Sequence, residues 1–164
     1  KLTTAASDGD IEALKLCLQN GADIDYRDDV RGTALMYAAR GGHLEICRLL
    51  IDRGCKIDIT TVNGQTALME AARWGYLEIC RLLIDTGCKI DTTNDVRGTA
   101  LMSAARGGHL EICSLLIDTG CKIDITSPYS GETALHWAAE GGYLQITRCL
   151  VEQGGASPLI KSHQ

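Results

Sequence analysis

The chain has no phenylalanine, and aromatic residues make up only 4% of its 164 positions. A single globular core of this size usually leans on Phe and Trp, so one large centre is a poor fit. Many small, similar interfaces built from Leu, Ile, Ala and Cys fit better, and the 45% hydrophobic content is ample for them. No run of 18 apolar residues occurs, which excludes a membrane-spanning helix. The opening stretch KLTTAASDGD lacks the apolar core of a signal peptide. It starts at Lys1 without an initiator methionine, so the chain reads as an excised piece of something longer. An excess of positive charge is also missing. The net charge of −5 counts against a general nucleic-acid binder, although a local basic stripe is compatible with it.

What the chain does contain is one sentence written repeatedly. GTALMSAARGGHLEICSLLIDTGCKID at 98–124 nearly repeats residues 32–58, with looser copies at 64–91 and 131–155. Thr33, Thr66, Thr99 and Thr133 mark the phase, at spacings of 33, 33 and 34 residues. A constant period in this range is the signature of a repeat architecture.

The same period disposes of the cysteines as a disulfide framework. Six of the eight fall in two columns, Cys47/Cys80/Cys113 and Cys55/Cys88/Cys121. Equivalent atoms of stacked helices lie about 8–10 Å apart, beyond the roughly 7 Å Cα limit of a disulfide. The columns therefore read as small buried hydrophobes, which places the chain in a reducing compartment, cytoplasm or nucleus.

Residues 26–58 serve as the specimen repeat. YRDDVRG is polar and turn-like; Thr33 then sits where a helix N-cap belongs. ALMYAAR reads as a short helix of about seven residues, kept thin by Ala38 and Ala39 and ended by Gly41-Gly42. HLEICRLLIDR reads as a longer helix of about eleven. Its Leu44, Ile46, Cys47, Leu49, Leu50 and Ile51 form an apolar surface wider than a lone amphipathic helix shows. Gly54 closes it. Both helices fall below the length that persists alone in water, so stacking must stabilise them.

With a turn, a Thr-capped short helix, a Gly pair, a second helix and a Gly every 33 residues, the chain resembles the ankyrin-repeat family. The residues that carry the resemblance are Gly64, Thr66, Leu68, Ala71, Ala72 and Gly75, with their equivalents in the other copies, against the pattern G-x-T-P-L-H-x-A-A-x-x-G-H. It covers nearly the whole chain and implies an all-α solenoid of helix-turn-helix units with hairpin-like turns. The phase gives one domain, 1–164, of five repeats: a truncated 1–25, then 26–58, 59–91, 92–124 and 125–158, with 159–164 as a frayed tail. There are departures. Ala34, Ala67, Ala100 and Ala134 stand where the family has proline, and Met36, Met69 and Met102 replace a histidine that survives only as His136. Gly32 and Gly98 are displaced by one place, which leads us to expect different hairpins in repeats two and four.

Candidates for chemistry do not withstand inspection. His43 with Cys47, and His109 with Cys113, have the spacing of two metal ligands, but tetrahedral zinc wants four, and the intervening copy has Tyr76. The cysteines sit in apolar columns with nothing to activate a thiolate. RGGH separates two helices and does not follow a strand, so it is no phosphate loop. No enzyme activity, cofactor or metal is expected.

Function is then sought in what the repeats do not share. Repeats two and four differ at only six of 33 positions: Tyr26/Thr92, Arg27/Thr93, Asp28/Asn94, Tyr37/Ser103, Arg48/Ser114 and Arg53/Thr119. Four of these fall on the hairpin and short helix, the elements that line the concave partner-binding groove in the family. One column reads Tyr37, Glu70, Ser103, Trp137, different in every copy; beside it runs Arg40, Arg73, Arg106, Glu140, with Trp74 where other copies have Gly. Tyr, Trp and Arg are enriched at binding hot spots. The acidic residues concentrate on the second helices, at Glu45, Asp52, Glu78, Asp85, Glu111 and Asp118. The expected function is a monomeric module that binds a protein or peptide, one with an acidic surface if the arginine stripe is used. The contact residues are expected at Tyr26, Arg27, Tyr37, Arg40, Glu70, Arg73, Trp74, Ser103, Arg106, Tyr129, Trp137 and Glu140. Two alternatives stay open: a regulatory or targeting segment of a larger protein or enzyme, and a single-stranded nucleic-acid surface built from the arginines and Trp74.

Overall fold

The computed structural model describes residues 1–96 and 98–156. Five helix pairs follow one another: α1 (Leu2–Asp8) with α2 (Ile11–Gln19), α3 (Ala34–Gly41) with α4 (Leu44–Asp52), α5 (Ala67–Trp74) with α6 (Leu77–Asp85), α7 (Ala100–Gly107) with α8 (Leu110–Asp118), and α9 (Ala134–Glu140) with α10 (Leu144–Arg148). A π-helical turn, Cys149–Gln153, closes the last pair. The odd-numbered helices pack each on the next in one row, and the even-numbered helices form a second row behind them. Among the described residues there is no β-strand, only an isolated bridge between Asn94 and Gly98. The tail expected at 159–164 lies outside the described residues.

Each first-row helix after α1 begins at a threonine. Thr33, Thr66 and Thr99 accept from the backbone N–H of Met36, Met69 and Met102. At Thr133 the old partner survives: the backbone N–H of Thr133 donates to His136 Nδ1 at 2.9 Å, completing a reciprocal cap. Ala34, Leu35, Met36, Ala38 and Ala39 are all buried, so α3 keeps only Tyr37 and its last turn, Arg40 and Gly41, out of the core. Its alanines let α1 and α5 approach closely on either side.

The two helices of a pair are nearly equal, eight residues in α3 and nine in α4, and not the seven and eleven that the sequence pattern implies. Arg53 drops out of α4 as its C-cap, and His43 drops out at the other end. Its φ of −89° and ψ of 79° are not helical, and it stands outside α4 as the N-cap. Its ring crosses instead to the preceding repeat, where Nε2 donates to the carbonyl of Ser7 at 3.1 Å. His109 does the same to the carbonyl of Arg73 at 3.0 Å. The ring of His109 lies where a Cβ on Gly75 would come within 2.6 Å of it, and Gly75 also has φ +84°. Conformation and space both require glycine there.

The hairpin turns differ less than their glycines suggest. Asp28 N–H donates to Gly32, Thr61 to Gln65 and Asn94 to Gly98, at 3.0, 3.0 and 2.9 Å. The expected change of hairpin shape in repeats two and four is therefore absent from the closing bond. What changes is the residue that bears the left-handed backbone: Gly64 in repeat three, Arg31 with φ 65° in repeat two. The rungs between turns are regular. Lys56, Lys89 and Lys122 donate their backbone N–H to the carboxylates of Asp25, Asp58 and Asp91 in the previous repeat, at 2.8, 2.8 and 2.9 Å.

In the second row Ile46, Cys47 and Leu50 of α4 are fully buried, and their equivalents in α6 and α8 match them. The row ends raggedly. Leu144 is 79% exposed at the start of α10, and α10 runs only five residues before the π turn.

Candidate functional site

The face made by the hairpins and first-row helices holds two adjoining cavities. One, about 380 Å³, is walled by Val30, Val62 and Val96 from successive turns, by Met36 and Tyr37, and by Arg40, Glu70 and Arg73. The other, about 260 Å³, lies between α5 and α7 and is walled by Arg73, Trp74, Met102, Ser103, Arg106 and Gly107. Arg73 belongs to both.

The arginines are where they are for a local reason as well. Arg40, Arg73 and Arg106 each occupy the last turn of α3, α5 or α7. A cation there favours the helix by about 0.3–1 kcal/mol against the negative end of the helix dipole. Their environments then diverge, because each meets a different residue of the variable column in the next repeat. Arg40 Nε lies 3.0 Å from Glu70 Oε2. Arg73 shares its cavity with Ser103. Arg106 stacks on the Trp137 ring, 4.6 Å from its centroid. Arg73 also stacks on its neighbour Trp74 at 4.8 Å.

The column itself is less exposed than its variability implies. Glu70 is 6% exposed, and Ser103 is also buried. Glu70 Oε1 accepts from Gln65 Nε2 at 2.7 Å, and Gln65 Oε1 in turn accepts from Asn94 Nδ2. Arg40, Glu70, Gln65 and Asn94 thus form one polar chain across three repeats. Tyr37 donates its hydroxyl to Asp28 Oδ2. That bond is the largest cause pushing the Tyr37 phenol up to about 12, followed by burial. For Asp28, burial works upward, but donation from Tyr37, Gly32 and Val30 outweighs it and holds the carboxyl below its usual value.

Arg27 is likewise committed inward. Its guanidinium donates to the carbonyls of Arg31 and Thr60, stapling two turns together. Of the twelve residues expected to touch a partner, Arg27, Tyr37, Glu70 and Ser103 therefore have internal partners or are buried. Arg40 is half-exposed with its charge opposed. Tyr26, Trp74 (48% exposed), Tyr129 (81%), Arg106 and Glu140 face solvent. Arg73 and Trp137 are part-buried, and the indole N–H of Trp137 is buried without a hydrogen-bond partner. Tyr26, Arg27, Tyr129, Trp137 and Glu140 line neither cavity. The residues that sequence reasoning missed are the turn valines, Val30, Val62 and Val96. All three are more than half exposed. The available signal was a β-branched apolar residue inside an otherwise polar turn.

Burial is the first cause that raises the thiols. It pushes Cys47, Cys80 and Cys113 up to about 12, and Cys55, Cys88 and Cys121 to about 12 with help from Asp25, Asp58 and Asp91. All eight cysteines are free. Among the described residues, no three His, Cys, Asp or Glu side chains are grouped as a metal site needs.

A family model described as ankyrin repeats (3 copies) matches residues 2–94 and again residues 86–162. The chain belongs to the ankyrin-repeat family. No curated protein matches it. Ankyrin repeats are generally protein–protein interaction modules, and no helix among the described residues is long and apolar enough to cross a membrane.

Proposed function

We propose that this ankyrin-repeat chain binds a partner protein through the hairpin and first-row-helix face and performs no chemistry of its own. The observation that carries the reading is the pair of adjoining cavities sharing Arg73. Around them stand exposed Val30, Val62, Val96 and Trp74, in a chain otherwise poor in aromatics. An apolar rim around a few oriented cations is the composition of a recognition surface. In the second row, α4 and α6 present the opposite character. Their exposed charges include short-range pairs, Arg48 with Glu45 at 4.0 Å and Arg81 with Glu78 at 3.7 Å, which keep that face solvated.

Non-catalysis is supported by how the reactive side chains are used. The thiols are held protonated by burial, and the His43 and His109 rings are committed to backbone carbonyls. The proposal is tested by isolating a partner with the intact chain and repeating the capture with Arg73→Glu/Trp74→Ala. The double variant should lose the partner while an outer-face variant, Arg81→Ala, keeps it. Equal loss in both, or in neither, would move the site elsewhere.

A further inference from the structure

The three first-row arginines are equivalent by sequence but not by charge balance. In the joint between α3 and α5, Arg40 is met by Glu70, whose carboxylate lies 3.0 Å from Nε and is nearly buried. In the next joint, between α5 and α7, the position of Glu70 is taken by neutral, buried Ser103. Among the described residues no carboxylate lies within salt-bridge distance of Arg73 or Arg106. Both residues instead line the same 260 Å³ cavity, beside Trp74 and Met102, with their guanidiniums stacked on Trp74 and Trp137 rather than on an anion. The chain thus contains its own template. One joint carries an internal carboxylate on its arginine, and its neighbour keeps the arginine and has a cavity in front of it.

We propose that the joint between α5 and α7 is an anion clamp for one carboxylate side chain of an extended segment of the partner protein. The segment also places an aliphatic side chain under Val30, Val62 and Val96. This rests on the binding face proposed above and specifies its ligand. Two parts of the geometry select the chemistry. Arg73 and Arg106 sit in the last turns of α5 and α7, so the ends of the helices nearest the clamp carry partial negative charge. That offsets part of the cationic field and suits a single carboxylate better than a doubly charged phosphate, which favours helix N-termini. The cavity under the turn valines shares Arg73 with the clamp, so both are reached by one segment. Adjacent repeats lie about 10 Å apart, and an extended chain advances about 3.3 Å per residue. The motif is therefore an aliphatic residue and an acidic residue about three positions apart.

A random linear-peptide library selected against the whole chain tests this. The selected peptides should pair Asp or Glu with Leu, Ile, Val or Met about three residues away. For one synthesised winner, replacing its acid by the amide and replacing Arg73→Gln should each weaken binding about tenfold. The two together should cost little more than either alone, as a coupled pair requires. Arg73→Lys should recover part of the loss, and thermal melts of each variant confirm that it is folded. Winners that depend on Trp74 and Val62 but not on their acid would overturn the clamp and leave the binding face standing. Winners indifferent to every variant of this face, or none above the background of the denatured chain, would overturn both. A phosphoserine at the acid position that binds more than tenfold tighter than glutamate would overturn the choice of a carboxylate.

Discussion

Arg40 reaches from the last turn of α3 to Glu70 in the first turn of α5, with Nε 3.0 Å from Oε2. The pair joins two repeats, and its two ends are unequal. The carboxylate side chain is 8% exposed, whereas the arginine side chain is 53% exposed. The anion also holds Gln65, which holds Asn94. Glu70 is therefore an internal part of the stack, and its worth is set by desolvation and by the donors that would be left without it.

Glu70→Ala should cost about 1–3 kcal/mol, because it strands the Gln65 amide in a part-buried site and opens the chain to Asn94. Arg40→Ala should cost about 1 kcal/mol or less, since its exposed head is screened by water. Urea unfolding of the two variants measures the asymmetry. An equal cost, or the larger one at Arg40, would contradict the network.

The repeat period, the threonine caps and the apolar columns were all legible in the sequence, because each repeats with identical chemistry. The variable column was not. Variation at Tyr37, Glu70, Ser103 and Trp137 reads as surface drift or contact, yet Glu70 and Ser103 are buried. Glu70 meets Arg40 and Trp137 meets Arg106 of the preceding repeat, whereas Tyr37 turns to Asp28 of its own, and contacts that change from repeat to repeat leave no periodic signal. His43 was read into the second helix because its neighbours continue a helical pattern. Only the carbonyl of Ser7, 36 residues away in sequence, explains why it stays outside. In repeat two the hairpin closure survives the displaced glycine because Arg31 accepts the left-handed conformation that Gly64 takes in repeat three, and in repeat four Gly98 itself takes it.

The alanines in place of proline provide a test of the first helical turn. Ala67 and Ala100 open α5 and α7, and Thr66 and Thr99 before them are extended, as a residue before proline must be. Among the described residues neither alanine N–H donates. Ala67→Pro and Ala100→Pro should each add about 0.4–1 kcal/mol by restricting the unfolded chain. Destabilisation of both in urea melts would show that the buried ring lacks room.

The buried thiols make stability fall at alkaline pH. Burial raises their native values to about 12, while in the unfolded chain a thiol ionises near about 8.5–9. Their contribution is thus fully present below about pH 8.5 and is lost as pH rises toward 12. Each thiol removes about 1.4 kcal/mol per pH unit within that window. Urea midpoints should drop steeply between pH 8.5 and 10.5, and Cys80→Ala should shallow the slope. A flat profile would contradict burial of these columns.

Thiol labelling checks the same columns from another side. Cys47, Cys80, Cys88, Cys113 and Cys121 should resist labelling until urea unfolds the chain, since all five are buried. A reductant should leave the melting temperature in place. A drop of several degrees on reduction would mean that disulfides form.

Separation of stability from binding tests the account most directly. Leu83 is fully buried in α6, so Leu83→Ala should cost about 2–5 kcal/mol and weaken binding only by unfolding the chain. Arg73→Glu with Trp74→Ala removes a stacked pair at 4.8 Å, worth about 0.5–1 kcal/mol at an exposed site. The decisive measurement is partner affinity of that folded double variant, by calorimetry at moderate salt. The expected result is a loss of at least about tenfold, or about 1.4 kcal/mol, with the melt within about 1 kcal/mol of the unmodified chain. Full-strength binding by a folded double variant would contradict the assignment of this face.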